Sequence, residues 1–391
     1  VLMEQIHPIV ILWFVLAGPV WSAIGAWKLP RVYRRKGLDD SQARLVGGLG
    51  GLALGPFLVL PLWHFTPDLS RRYWKGGTGV LAAAELYGLF AIMQPKNLCV
   101  TNASYVANQA CNGLTIGFIY ALIGVGLTLI YSVQGIISFA HGQFYMVGGY
   151  VAYYFLQALG GLNPIVAIPV AGLVAMLIGA VFEWLFLRPM HQGRVERVGE
   201  YAILITFGFG FFLEYTTLAV VGPFPRKTTS YLGRGSLKFL TLSLIPNRLV
   251  TAAIGVFLIS ALFYFLYRTW VGKGLRAVSM DKQAAAVVGV NPLTMNTLAF
   301  GIGTMLAGMS GAAMIPIFSW VPGVGAAASR RSYVTIVLGG LGSVPGALVG
   351  GLILGLVEAL GAGCYPNPSK GAAYRDVFGL IIFALILLLK P

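Results

Sequence analysis

The stretch from Leu249 to Tyr267, LVTAAIGVFLISALFYFLY, holds 19 residues and no formal charge. A hydrocarbon core takes about 20 such residues in a helix rising about 1.5 Å per residue, so this segment is long enough to cross a bilayer. The windows Pro8 to Trp27 and Leu45 to Trp63 are equally free of charge. All three are continuous apolar runs, unlike the ten-residue segments of alternating polarity that build a membrane barrel, so the spans are helices. The whole chain agrees: of its 391 residues 57% are hydrophobic and 10% charged, where a soluble domain carries about 25% charge. That leaves too little polar surface to face water and predicts an all-α, polytopic transmembrane helical bundle.

The charge balance is lopsided, with 27 Lys and Arg against 12 Asp and Glu for a net +15. In a soluble domain this would suggest nucleic acid. Here the basic residues gather in short loops between spans, where the positive-inside bias and anionic membrane lipid account for them, and no basic run interleaves with aromatics. No nucleic-acid partner is expected. Cys99, Cys111 and Cys364 are too few and too scattered for a disulfide framework or a structural zinc site. Glu4 and His7 precede a full-length span with no small-residue cleavage site after it, so that span is expected to stay in the protein rather than leave as a signal peptide.

Residues 1 to 104 read as an N-terminal extension of about three transmembrane helices, Pro8 to Trp27, Leu45 to Trp63 and a weaker one from Gly79 to Gln94 that contains Glu85. From 105 to 391 the spans become dense: 109–133, 135–157, 164–187, 201–221, 249–267, 293–318, 332–360 and 377 to the end. The loops 188–200 and 268–291 carry Arg188, Arg194, Arg197 and Arg268, Lys273, Arg276, Lys282, which predicts a cytoplasmic position for both; 222–248 is then external. Two spans are interrupted, one by Ser138-Phe139-Ala140-His141-Gly142 and the other by Gly339-Gly340-Leu341-Gly342-Ser343-Val344-Pro345-Gly346. Inside a membrane, broken or re-entrant backbone survives only where protein or a water-filled cavity satisfies its polar groups, so both breaks are candidates for a solute path. In the first, Ser138, His141 and Gln143 offer polar side chains and Gly142 lets the backbone turn. The same residues also suit a satisfied cluster that packs helices. In the second, Gly340 and Gly342 allow close approach or exposed amides, and Ser343 suits the cap of a following half-helix whose N-terminal end favours an anion.

Several chemistries are missing. No G-x-x-x-x-G-K-[ST] phosphate loop occurs, so the chain has no ATPase site of that kind, and no H-E-x-x-H pair supports a metalloprotease. An intramembrane hydrolase built on Ser343 and His141 lacks the G-x-S-x-G elbow and an acidic orienter. Glu85, Glu183, Glu214 and Glu358 lie within apolar spans and raise proton-coupled secondary transport as a rival, although Glu183 stands near Arg188, Glu214 is soon followed by Thr216 and Thr217, and Glu358 is near a helix end. The segment Val271 to Asn291 reads as a short amphipathic helix, with Ala277, Met280, Ala284 and Val287 at helical spacing. Such a helix fits a partner's groove or rests on lipid headgroups.

These motifs carry a resemblance. Gln283-Ala284-Ala285-Ala286-Val287-Val288-Gly289 is similar to the E-A-A-x-x-x-G coupling loop of ABC importer permeases, with Gln in place of the acidic first residue. Asn112-Gly113-Leu114, Tyr120-Ala121-Leu122, Ser138 to Met146, Arg188-Pro189, Gly274-Leu275-Arg276-Ala277 and Val337 to Ala347 follow, in order, the pattern of the branched-chain amino acid ABC transporter permease family, the high-affinity importers with two different permease subunits. The resemblance runs from about Asn108 onward and does not reach the extension. The family reads Asn at the position of Ser138 and often Glu at that of Gln143. The resemblance implies a type II ABC importer-like permease core in a bacterial inner membrane. It implies a second permease subunit as heterodimer partner, two cytoplasmic ATPase subunits that hold ATP and Mg, and a periplasmic substrate-binding protein. No cofactor or metal would sit in this chain. Asp281, Gln283, Ala284, Ala285 and Gly289 would form the ATPase contact, and branched-chain amino acids would be the cargo. Urea or a short amide is the alternative cargo for the same architecture.

Overall fold

The computed structural model describes residues 97–160, 162–232, 237–239, 242–365 and 368–389, together with Ser22 alone within the first part of the chain. The chain divides into two compact units, residues 1–102 and 103–391. In the first, the described part is one turn of helix, Leu98–Thr101, started by the side chain of Asn97, which accepts from the Cys99 amide. The three helices expected in the extension, with Glu85, lie outside the described residues.

The second unit is built from α1 (Ala103–Gln134), α2 (His141–Ala158), α3 (Ala167–Phe182), α4 (Val198–Val221), α5 (Pro246–Arg268), α6 (Trp270–Met280), α7 (Lys282–Val287), α8 (Pro292–Met314), α9 (Val324–Gly339), α10 (Val344–Gly363) and α11 (Arg375–Leu389). A hairpin of β1 (Leu237–Phe239) and β2 (Leu242–Leu244) precedes α5. Among the described residues, six helices are long and apolar enough to cross a membrane. They are α1, the continuous helical run Pro164–His191 that contains α3, α4, α5, α8 and α10. The chain is therefore a multi-pass membrane protein, with α2, α9 and α11 as shorter helices beside these spans.

Most span ends shift by a few residues, and two expected spans change more. The span read over 293–318 ends at Met314, and the one read over 332–360 is two helices, the first of which begins at Val324. Gly340 (φ +88°) and Gly342 (φ +86°) take a left-handed backbone that favours glycine, so the chain reverses there instead of continuing through the bilayer. Beyond the turn α10 runs back along α9: a methyl on Gly346 would meet Gly339 O at 2.0 Å, and one on Gly350 would meet Thr335 O at 2.5 Å.

Burial sorts the spans into centre and rim. In α1 and α8 about four fifths of the apolar window is buried (83% and 78%), against 11% in α4. The rim helices turn Leu177, Leu204 and Phe257 outward, as lipid contact requires. The seam between α1 and α10 is closed by small residues. Gly113, Gly117 and Ala121 on α1 face Gly355, Gly351 and Leu352 on α10, so that a methyl on Gly351 would lie 2.3 Å from Ala121 N and one on Gly355 2.5 Å from Gly113 O. Lipid tails are as apolar as leucine, so helices in a membrane gain by close backbone approach, and this seam supplies it.

The two ends of the bundle are distinguished by their contacts. At one end Arg226 and Trp320 exchange backbone hydrogen bonds of 2.9 and 2.8 Å, which joins the α4–α5 link to the α8–α9 link. At the other, Lys282 donates to Gln134 O at 3.1 Å and Gln134 Nε2 donates to Asn296 O at 3.0 Å, which ties α7, α1 and α8 together. Residues 222–248 and 268–291 thus stand at opposite ends, as the charge pattern predicts.

Candidate functional site

The break between α1 and α2 spans residues 135–140 and leaves backbone polar groups without helical partners. Side chains from other helices take them up. Thr206 Oγ1 on α4 accepts from Phe139 N at 3.2 Å, Ser329 Oγ on α9 accepts from Gly142 N at 3.0 Å, and Tyr333 Oη on α9 donates toward Phe139 O at 3.3 Å. Non-helical backbone at this depth is stable only when satisfied this way. The start of α2 is buried and pressed against α9: a methyl on Gly142 would fall 2.2 Å from Gly325 O and 2.3 Å from Ser329 Oγ.

Beside the break lies a cavity of about 210 Å³ between α2, α4 and α9. Phe139, Phe207 and Phe211 form its apolar wall, and Gln143, Glu214, Ser329, Arg330 and Tyr333 its polar one. Gln143 Nε2 donates to Glu214 Oε2 at 2.9 Å, while Gln143 Oε1 is buried without a hydrogen-bond partner. Arg330 pairs with Asp376 of α11 at 3.1 Å. An aromatic wall facing a few fixed polar groups is the general form of a small-solute site.

The residues singled out in the first break separate here. Gln143 lines the cavity. His141 turns away from it, fully buried, with Nε2 3.0 Å from Ile123 O on α1; that nitrogen carries the proton because a carbonyl can only accept. Ser138 is buried and offers its carbonyl toward Tyr333 Oη at 3.5 Å. Gly142 supplies the close approach and an amide. The second break does not join this cavity. Gly340, Gly342 and Ser343 lie about two helical turns beyond Tyr333 along α9, where Gly340 and Ser343 are exposed. Ser343 Oγ accepts from Gly346 N at 3.1 Å and so caps α10, as its place before Val344 suggests.

The segment 271–291 is two helices joined at an elbow, not the single amphipathic helix read from its spacing. Asp281 ends α6 in extended backbone and starts α7, its Oδ1 accepting from Gln283 N at 2.8 Å and Ala284 N at 3.0 Å. The inward face is Leu275, Val278 and Ala285, all buried; Met280, Val287 and Val288 point out, 88%, 88% and 76% exposed. Of the residues proposed to meet an ATPase, Gln283 and Ala284 are exposed, Asp281 is the cap and Gly289 (φ +88°) ends the turn, whereas Ala285 packs into the protein's own core.

A second polar group forms around Glu358, whose partners the sequence does not indicate. Arg331 on α9 binds Glu358 Oε1 at 3.1 Å and also Asp376, and Tyr120 donates to Glu358 Oε2 at 2.8 Å, which links α1, α9, α10 and α11 inside the bundle. The signal for it in the sequence is the pair Arg330-Arg331, which stands just before the span read from Ser332. Glu183, the other buried carboxylate, accepts from Thr297 of α8. Among the described residues there is no cluster of His, Cys, Asp and Glu fit to hold a metal.

A bundle of apolar spans, with a satisfied break that leads from one end into its interior and a solute-sized cavity against that break, is the architecture of a polytopic membrane permease. A family model described as the permease component of branched-chain amino acid transport systems matches residues 109–389, and the chain belongs to that family. Its relatives include the high-affinity branched-chain amino acid transport system permease protein LivH of Salmonella typhimurium, 30% identical over 295 residues that cover 73% of this chain and 94% of the relative. BraD of Pseudomonas aeruginosa, a permease protein of the same description, is 31% identical over 299 residues, covering 72% and 93%. The LivM permease protein of Escherichia coli is 25% identical over 266 residues, covering 61% and 60%. All three are named as permease components of transport systems, not as catalytic enzymes. No solved structure matches.

Proposed function

We propose that this chain is the membrane-spanning permease subunit of a bacterial inner-membrane ABC importer for branched-chain amino acids, driven by separate ATPase subunits docked at the α6–α7 elbow. The observation that carries the reading is the elbow itself. It exposes Met280, Val287 and Val288 at a bundle end that the basic loops assign to the cytoplasm, and it is tied through Lys282 and Gln134 to α1 and through Gln134 to α8. Exposed apolar side chains on a capped, anchored helix suit a partner's groove, and the anchors give a route for that partner's motion into the spans. Gln283, Ala284 and Gly289 belong to the contact surface, Asp281 shapes it, and Ala285 is its inward anchor. The cavity beside Gln143 and Glu214 belongs to the solute path. A second permease chain, two ATPases holding ATP and Mg, and a periplasmic binding protein complete the assembly.

The test is uptake of labelled leucine by the complex purified from its native membrane and reconstituted in vesicles. ATP-dependent uptake, outcompeted by isoleucine and valine and not by urea, is expected. Uptake that persists without nucleotide and collapses with the proton gradient overturns the proposal in favour of a secondary transporter.

A further inference from the structure

A second cavity, of about 260 Å³, lies among α1, α2, α9 and the start of α11. Its apolar wall includes Tyr145, Phe318, Trp320 and Val324, and its charged side is Arg331 and Arg375. The wall is fixed in place: Trp320 is 1% exposed, donates Nε1–H to Met146 O at 3.0 Å, and packs its ring 4.9 Å from that of Tyr145. The charges do not cancel. Arg331 is shared between Glu358 and Asp376 and Arg330 is held by Asp376, which leaves Arg375 with no ion pair among the described residues and with a buried Nε that has no hydrogen-bond partner. Three arginines against two carboxylates leave one positive charge, and Arg248 of α5 stands close enough to Arg375 to repel it. Arg375 is half-buried, feels Glu358 as well as Arg248, and keeps its buried Nε without a partner, so it offers a carboxylate a charged donor at the edge of an apolar wall.

We propose that this cavity holds a small apolar amino acid, its carboxylate on Arg375, its ammonium toward exposed Ser319 and away from the arginines, and its side chain against Trp320, Phe318 and Tyr145. The identity of the amino acid rests on the importer reading above, while the chamber's own chemistry asks for a compact apolar carboxylate. The guanidinium fork suits a carboxylate, and the rigid aromatic wall selects a branched aliphatic side chain over a charged one.

The experiment is equilibrium binding of tritiated leucine to the full chain in phosphatidylcholine nanodiscs. Saturable binding is expected, with no competition from leucinamide, which lacks the carboxylate. R375Q and A327F, the second of which fills the chamber, should each weaken binding at least tenfold; R375K, which keeps the charge but not the fork, should bind between R375Q and the wild type, and an unchanged size-exclusion profile of each variant reports that the fold is intact. Wild-type binding by both R375Q and A327F, or equal competition by leucinamide, overturns the proposal, as does the absence of saturable binding in the wild type. Binding that survives added phosphatidylglycerol supports an amino acid occupant; displacement by that lipid assigns the chamber to a headgroup and overturns it. A complex that fails to import leucine although the chain binds it refutes the importer reading and leaves the chamber standing.

Discussion

Replacing Gly142 with alanine tests the contact on which the candidate site depends. The added methyl would stand 2.2 Å from Gly325 O, 2.3 Å from Ser329 Oγ and 2.4 Å from Ser329 N. Carbon normally keeps about 3.5 Å from such atoms, so α9 must retreat by about 1 Å. Two of the three neighbours are backbone, which cannot swing aside as a side-chain tip would. Forcing an extra carbon into packed structure costs about 1–3 kcal/mol. Parting the helices also stretches the 3.0 Å hydrogen bond from Gly142 N to Ser329 Oγ, for about 1 kcal/mol more. The expected loss is about 2–4 kcal/mol in all. Gly199, in the first turn of α4, is the control: a methyl there meets nothing within 4 Å, and G199A should be neutral or stabilising by up to about 1 kcal/mol. Both variants of the full chain are heated in detergent and the surviving monodisperse fraction is followed by size exclusion. If G142A survives to the same temperature as the wild type and G199A, α2 does not meet α9 at this point and the cavity described between them is wrong.

Four further outcomes are expected. K282M removes the hydrogen bond to Gln134 O, so leucine uptake should fall several-fold while ATP hydrolysis by the assembled complex continues; equal loss of both would argue against an anchor. D281A deprives α7 of its cap, at a cost of about 1 kcal/mol to the elbow, and should weaken retention of the ATPase subunits on affinity resin without lowering the thermal stability of the isolated chain. R331M leaves Glu358 buried and without its cationic partner, which costs about 3–5 kcal/mol and should lower the temperature of half-loss well below that of E358Q. E214Q keeps an acceptor for Gln143, so ATP-driven uptake should persist with unchanged insensitivity to the proton gradient, and abolished uptake would show that the carboxylate charge itself is needed.

Much of the architecture is legible in the residues because membrane spans obey a length rule and the two breaks are written in glycine. The Leu249 to Tyr267 run becomes α5 with its ends displaced by three residues at Pro246 and one at Arg268. What period alone could not show is direction. Met280 and Val287 lie at helical spacing with Ala277 and Ala284, yet Asp281 resets the phase between α6 and α7 and sends them outward. Polar pairing across helices is equally hidden, since Gln143 and Glu214 are 71 positions apart and Tyr120 and Glu358 are 238 apart. A carboxylate within an apolar span announces that it needs a partner without saying which one. Arg331 is legible in principle: two adjacent arginines followed by a stretch with no further charge up to the glycine turn belong to a helix that has their counter-charges waiting.

The glycine seam between α1 and α10 bears on how a push would be delivered. α1 is 32 residues, about 48 Å from end to end, and along its contact with α10 there is no slack into which a methyl, let alone a sliding side chain, would fit. Two rods locked at that spacing shift as one body. A displacement applied at Gln134 would therefore arrive undiminished at the far face of the bilayer, carrying Tyr120 and Glu358 with it, where a looser, leucine-packed pair would absorb the stroke in rotamer changes along the way.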